Sequence, residues 1–250
     1  MTDVHISLPP ALRRALDLLA DPPADPDVSK GYLDLLGTGS APDDIVPKNT
    51  GPIQAVWASP IGSMLYDSAQ TLARRLISAW QLPIEWLNIQ SGGIALDVGS
   101  GPGNVTASLA RAAGPEGLAL GVDISEPMLR RAVANEAGPQ VGFIKADAQR
   151  LPFRDNMFDA VISTSVLQLI PNPTAALGEM ARVLRPGGRL AIMVPTAGHA
   201  ARLWQRLPSV GAHAFGDDDI GDILEDNGFA SVRVKNFASF QWVRGKKADS

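Results

Sequence analysis

The sequence predicts an α/β protein: a mostly parallel sheet with helices on both faces, preceded by a helical extension. Three observations carry that expectation. After residue 92, short apolar runs alternate with helical patterns, and strands separated by helices pair in parallel through crossovers. The last two strand-like runs, SVRVKN and ASFQWVRG, are close enough for a hairpin, which places one antiparallel strand at the end. Residues 1–90 have a different texture. They hold 10 acidic and 6 basic residues and 10 of the 20 prolines, so this third carries the whole net charge of −4. Two units are therefore expected, a helical extension over 1–90 and the sheet domain over 91–250.

Pro9 and Pro10 stand where a helix can begin, and ALRRALDLLA follows with apolar residues at three-to-four spacing. DPPADPD ends that helix. SKGYLDLLG reads as a short helix closed by Gly37, and 38–52 as loop. SPIGSMLYDSAQTLARRLISAW reads as a long amphipathic helix over about 60–80, and IEWLNI as one more helical turn. No strand is expected in residues 1–90. Strands are then expected in IALDV (94–98), LALGVD (118–123), VGFIKAD (141–147), FDAVIS (158–163) and RLAIMV (189–194). Helices are expected in NVTASLARAAG, SEPMLRRAVANEA, TAALGEMARVL and DDDIGDILEDNG.

Composition narrows the function. With no cysteine, disulfides, Cys-ligated zinc, iron–sulfur clusters and thiol nucleophiles are excluded. The three histidines lie far apart, which weighs against a His-rich metal site, and Asp217, Asp218 and Asp219 read as helix-start chemistry rather than as a metal cluster. The acid–base balance supplies no basic field for nucleic acid. The opening residues, with Asp3 and paired prolines, are unlike a signal peptide, and no run of 18 apolar residues exists. A cytoplasmic protein without membrane insertion is expected, its oligomeric state left open.

Five runs carry the chemistry. In Asp97-Val98-Gly99-Ser100-Gly101-Pro102-Gly103, glycine occupies alternate places where a strand hands over to a helix. Glycine lets the backbone turn tightly and approach a ligand, and the next helix offers free N–H groups. A dinucleotide fingerprint needs glycine at the sixth place of this turn, where Asn104 stands, so a nicotinamide or flavin site is disfavoured. Asp123 follows an apolar strand, where a carboxylate can accept both ribose hydroxyl protons; the alternative is a helix cap, and Ser125 before Glu126-Pro127 is expected to cap. Asp147 ends a third strand and can accept a proton from an adenine amino group while the Ala148 backbone meets a ring nitrogen; the alternative is a surface turn. Asp159, at the start of FDAVIS, reads as structural. Pro186-Gly187-Gly188 reads as a turn from helix to strand.

Taken in order, D-x-G-x-G-x-G, GVDIS, A-D-A-x-x-L-P-F, FDAVIS and L-R-P-G-G-R-L resemble the motifs of class I adenosylmethionine-dependent methyltransferases, in the branch related to ubiquinone and menaquinone biosynthesis. The resemblance spans roughly 92–245. It implies a Rossmann-like, doubly wound, seven-stranded sheet of order 3-2-1-4-5-7-6 with the last strand antiparallel. It implies S-adenosylmethionine as cofactor, with S-adenosylhomocysteine as product. The cofactor-binding residues it implies are Asp97, Gly99, Ser100, Gly101, Gly103, Asp123, Ile124, Asp147, Ala148 and Ser163. Amino-methylating enzymes for adenine carry an Asn/Asp-Pro-Pro-Tyr run where this chain has Ser163-Thr164-Ser165-Val166, which argues against nucleic-acid bases. Many relatives place a His pair where this chain reads Leu167-Gln168-Leu169, so the most obvious general base is missing.

A base is needed only if the acceptor must first lose a proton. His199 and His213, after the fifth strand of the family order, are the candidates. Tyr32, Trp57, Tyr66, Gln168, Trp204 and Phe215 are candidate lining for an acceptor pocket, whereas Trp80 and Trp86 read as glue between helices and sheet. The expected activity is methyl transfer to oxygen or carbon of a small apolar or aromatic molecule, with the N-terminal helices as a lid. The competing readings are a nicotinamide-dependent oxidoreductase, a non-catalytic module of the same fold, and a protein or RNA substrate.

Overall fold

The computed structural model describes residues 8–36, 84–195, 213–237 and 240–249. In chain order the strands are β1 (Leu33–Asp34), β2 (Ile94–Val98), β3 (Leu118–Asp123), β4 (Val141–Lys145), β5 (Phe158–Thr164), β6 (Leu184–Pro195), β7 (Phe229–Phe237) and β8 (Phe240–Lys247). The helices are α1 (Pro10–Leu16), α2 (Ile84–Leu87), α3 (Asn104–Ala113), α4 (Glu126–Glu136), α5 (Pro173–Val183) and α6 (Asp219–Asp226). One sheet runs β1-β4-β3-β2-β5-β6-β8-β7. Without β1, the remaining seven strands stand in the order 3-2-1-4-5-7-6. Only β8 runs antiparallel to its neighbours, β6 and β7. This is the Rossmann-like, class I topology that the motifs imply, with one strand added at an edge.

Side-chain alternation sets the two layers. Leu96, Val98, Leu118, Leu120, Val161, Leu190 and Ile192 pack with α1, α5 and α6 on one face. Ala95, Ala119, Ala160 and Ala191 meet α2, α3 and α4 on the other. The second face is lined with small residues, so its helices lie close to the sheet. Asp97 falls on this face by the same alternation, opposite the first turn of α3.

Three local expectations give way. Residues 29–36 form no helix; Leu33 and Asp34 pair in parallel with Ile144 and Lys145, so the first ninety residues do contribute a strand. Tyr32 and Leu33, buried on opposite faces, fix this register more firmly than helical periodicity could. The Pro186-Gly187-Gly188 turn is absorbed into β6: Phe158 pairs with Leu184 and Ala160 with Arg189, so the intervening residues bulge out. Ser125 precedes α4 but makes no side-chain cap; its N–H is taken by Asp123 instead.

The edges are treated differently. At one edge, β1 covers β4. At the other, β7 is blunted by exposed Arg233 and Lys235 and by a bulge between Ala230 and Arg233, with Ser231 in the left-handed region. Trp86 follows the expected packing role, with Arg189 and Arg244 each about 5 Å from its ring centroid. Asp159 is structural as expected: it accepts from the Ile94 N–H at 2.6 Å and pairs with Arg185. Lys247 donates to the carbonyls of Ala181 and Leu184 at the end of α5, and burial lowers its pKa.

Arg182 fastens the segment that follows β4. Its guanidinium pairs with Glu179 and Asp155 and donates to the carbonyls of Leu151 and Phe153, while Glu179 accepts from the Leu151 N–H. These partners hold its pKa above the usual range. Arg182→Met strands two carbonyls and two carboxylates, and should lower the unfolding free energy by about 2–4 kcal/mol in urea titration. Arg130→Met, which removes only an exposed pair with Glu126, should cost less than about 0.5 kcal/mol.

Candidate functional site

The carboxyl ends of β2, β3 and β4 lie side by side, and each delivers an aspartate. Asp97 lies near the end of β2, Asp123 ends β3, and Asp147 follows β4 by two residues. From β2 the chain folds back over β3: the N–H groups of Gly99 and Ser100 both donate to the Val122 carbonyl, at 2.8 and 3.0 Å. Gly99, Gly101 and Gly103 all have positive φ. At Gly99 a Cβ would come within 2.4 Å of the Val166 side chain, so this glycine permits the loop to touch the segment leaving β5. Gly103 serves packing instead, since a Cβ there would meet the Phe143 ring at 2.6 Å.

Asp123 ties the loop to the next helix. Its Oδ2 accepts from the Gly101 N–H and its Oδ1 from the Ser125 N–H, both at 2.8 Å. Burial pushes its pKa up, against the lowering effect of these amides. Asp97 is fully buried. Its Oδ2 accepts from the Thr106 hydroxyl at 2.7 Å, and its Oδ1 has no partner. Burial raises its pKa to about 7, the Thr106 hydroxyl opposing and the Asp123 charge adding. The Oγ atoms of Ser100 and Ser163 and the Oε1 of Gln168 are also buried without partners. Four of the six such atoms among the described residues thus gather at the ends of β2 and β5, where a bound polar molecule would satisfy them.

A small, open cleft lies at this rim. Gly99 and Val122 form its floor, Asp123 and Ile124 one wall, and residues 146–148 another. Val166 and Ile170 close it from the β5 side. Of the residues expected to bind a cofactor, Gly99, Asp123, Ile124, Asp147 and Ala148 line the cleft. Asp97, Ser100, Gly101, Gly103 and Ser163 do not line it. Gln168 sits on a 3-10 turn, Leu167–Leu169, between the two apolar lining residues. His213 is exposed beside it: its N–H donates to the Gln168 carbonyl, and its Nε2 lies 3.1 Å from the Pro171 carbonyl. Tyr32 and Phe215 do not line this cleft; both are buried in the apolar layers, on opposite faces of the sheet. His199, Trp57, Tyr66 and Trp204 lie outside the described residues, as do the helix expected over 60–80 and Trp80. Val122, Val166 and Ile170 were missed by sequence reasoning, because nothing distinguishes them from core residues in an apolar pattern.

A family profile described as a methyltransferase domain matches residues 96–192. A ubiquinone/menaquinone biosynthesis C-methyltransferase, UbiE, from Burkholderia mallei is 36% identical over 132 residues, which is 52% of each chain. The chain therefore spans about half the length of the curated relatives it matches. Among solved structures, the putative methyltransferase in complex with the activator Trm112 from Haloferax volcanii superposes with a TM-score of 0.65 at 19% identity, over 80% of this chain and 99% of that one. The [4+2]-cyclase SpnF superposes with a TM-score of 0.55 at 21% identity, over 66% and 79%. These two likenesses show the fold alone. The matched methyltransferase-domain profile points to S-adenosylmethionine. The acceptors present fit such a molecule: a buried carboxylate oxygen without a partner, and acidic side chains on two walls.

The Asp97 pKa makes a signed prediction. Unfolded, this carboxyl titrates near its ordinary value of 3.8; folded, near 7. Its contribution to stability is therefore fully present below pH 3.8 and is lost as pH rises toward 7. Asp97→Asn keeps an acceptor for Thr106 and removes the buried charge. The ligand-free variant should be more stable than wild type at pH 8, by roughly 2–4 kcal/mol, with the difference vanishing near pH 4. Thermal unfolding across that range checks it.

Proposed function

We propose that this chain, whose residues 96–192 match a methyltransferase-domain profile, is an adenosylmethionine-dependent methyltransferase of the ubiquinone/menaquinone-biosynthesis-like type. Its acceptor in this reading is a small apolar or aromatic molecule, methylated at oxygen or carbon. The observation that carries the reading is the cleft itself, floored by Gly99 and walled by Asp123 and Asp147 at the carboxyl ends of adjacent parallel strands. Crevices at that end of an α/β sheet are where such folds hold ligands.

Each wall has its work. Asp123 accepts ribose hydroxyl protons, with the Gly101 and Ser125 amides fixing its two oxygens in place. Ile124, Ala148 and Ile170 offer apolar contact to a base. Asp97 takes a cationic amino group, which would give its unpartnered Oδ1 both a donor and a counter-charge. When bound, adenosylmethionine supplies a methyl group that is already electrophilic. The protein's part is then to orient the acceptor and exclude water. Val166 and Gln168, at the exit of β5, stand on the acceptor's side of the cleft in this reading. His213 is the candidate base there. A carbonyl only accepts, so the Pro171 contact leaves the proton on Nε2 and the lone pair on Nδ1.

A second reading is a cofactor-binding module that does not transfer methyl groups. It is favoured by one observation: among the described residues no His or Tyr lines the cleft. A fold shared with a [4+2]-cyclase also leaves the chemistry to the site. Calorimetric titration with S-adenosylmethionine, S-adenosylhomocysteine and NADH should show binding of the first two only. Asp123→Ala should weaken both by about 30- to 1,000-fold, the loss of hydrogen bonds to a charged acceptor. Folded protein that binds neither sulfur nucleoside would overturn the assignment. Binding without methyl transfer to any phenol, quinol or lipid acceptor would favour the module.

A further inference from the structure

We propose that Gln149 is a positioning residue of this site: its carboxamide fixes the Asp147 carboxylate in the orientation that accepts a hydrogen bond from the exocyclic amino group of an adenine ring, and so sets the preference for adenine over bases that lack that group. The inference rests on the reading of the cleft as an adenosyl site.

Asp147 lines the cleft from a loop, not from the strand, so the backbone alone does not fix its side chain. Among the described residues it forms no ion pair. Its hydrogen-bond donors all come from Gln149: the backbone N–H reaches Oδ1 at 2.9 Å, and Nε2 reaches Oδ1 and Oδ2 at 3.2 and 3.1 Å. A carboxylate has about four lone-pair sites, so donors from one residue on one side leave capacity toward the cleft.

Gln149 is itself held from behind. Its Oε1 accepts from the Asn172 N–H at 2.9 Å. Asn172 caps α5, accepting from the Ala175 N–H at 3.1 Å. This contact settles which way the amide points. An N–H can bond only the carboxamide oxygen, so the NH2 group must face Asp147. The result is a brace from the start of a packed helix, through one side chain, to the acidic wall. Gln149 does not line the cleft and acts through Asp147.

The test compares S-adenosylhomocysteine with its 6-desamino purine analogue by calorimetry, on wild type, Gln149→Leu and Gln149→Glu. The second variant keeps an acceptor for Asn172 but cannot donate to Asp147, so it guards against a packing defect in the first. Wild type should prefer the amino-bearing nucleoside by about tenfold or more, and both variants should reduce that preference to about threefold or less, with the analogue's affinity nearly unchanged. A merely structural role would weaken both ligands equally and leave the ratio intact, which overturns the proposal. Tighter binding of S-adenosylhomocysteine by either variant also overturns it, because Gln149 would then be occupying the amino group's place. Wild type that does not distinguish the two ligands sinks the adenine reading of Asp147, and this proposal with it, before any variant is considered.

Discussion

The rim of the sheet is organised around the Asp123 carboxylate. A parallel sheet ends its strands in loops that must find partners for their N–H groups, and here one side chain satisfies two of them. Through Gly101 it draws the glycine loop after β2 toward β3, and through Ser125 it starts α4. The loop's own bonds to the Val122 carbonyl follow from that closure. Ser125 makes no side-chain cap, and its backbone N–H donates to the Asp123 carboxylate at the start of the helix. The amides that shape the loop are the same groups that offset the cost of burial.

A few ångströms away, Asp97 shows the opposite condition. It is buried, its Oδ2 accepts from the Thr106 hydroxyl, and burial pushes its pKa up to about 7, with the nearby Asp123 charge adding. Such a group costs stability in the ligand-free protein. Together with the unpartnered oxygens of Ser100, Ser163 and Gln168 it makes the rim of β2 and β5 the least satisfied part of the described structure. Most of this cost lies where a cationic, hydroxyl-rich ligand would remove it.

Much of this was legible in the sequence because the signals are local. The glycine spacing after Asp97, and the aspartates that close LALGVD and follow VGFIK, each place a residue at a strand end within a few positions of an apolar run. The hairpin of β7 and β8 was legible for the same reason. What escaped depends on distance or on competition. The two-residue strand β1 exists because Leu33 finds Ile144, and Asp34 finds Lys145 111 residues away; no window of sequence holds both. Tyr32 has the chemistry of a pocket residue, yet directly before this short strand it is buried in the apolar layer. The Pro-Gly-Gly turn was read by its composition, whereas the pairing of Leu184 with Phe158 draws the strand back through it. Val166 and Ile170 are pocket walls made of ordinary core residues, and only their position after β5 sets them apart.

The segment before the glycine loop bears on the site more than its place outside the matched domain indicates. The family match begins at residue 96, yet two elements of the cleft are pinned by residues 60 or more positions earlier. Lys30 pairs with Glu126 at the start of α4, directly after the Asp123–Ile124 wall. Asp34 pairs with Lys145 at the end of β4, directly before the 146–148 wall, and these two side chains are only 5% and 16% exposed. The first contact is half-exposed and contributes little. The second is enclosed and joined by the Leu35 N–H on the Lys145 carbonyl, so breaking it would leave an uncompensated charge under the wall. The edge of an open sheet is its most deformable part, and in this protein the 146–148 wall lies beside that edge. A strand of two residues is enough to close the edge because it arrives with α1 already packed on β3 and β4 and with Arg14 donating to the carbonyls of Glu116 and Gly117. The extension therefore belongs to the physical definition of the cleft, even though the chemistry sits on the strands it covers.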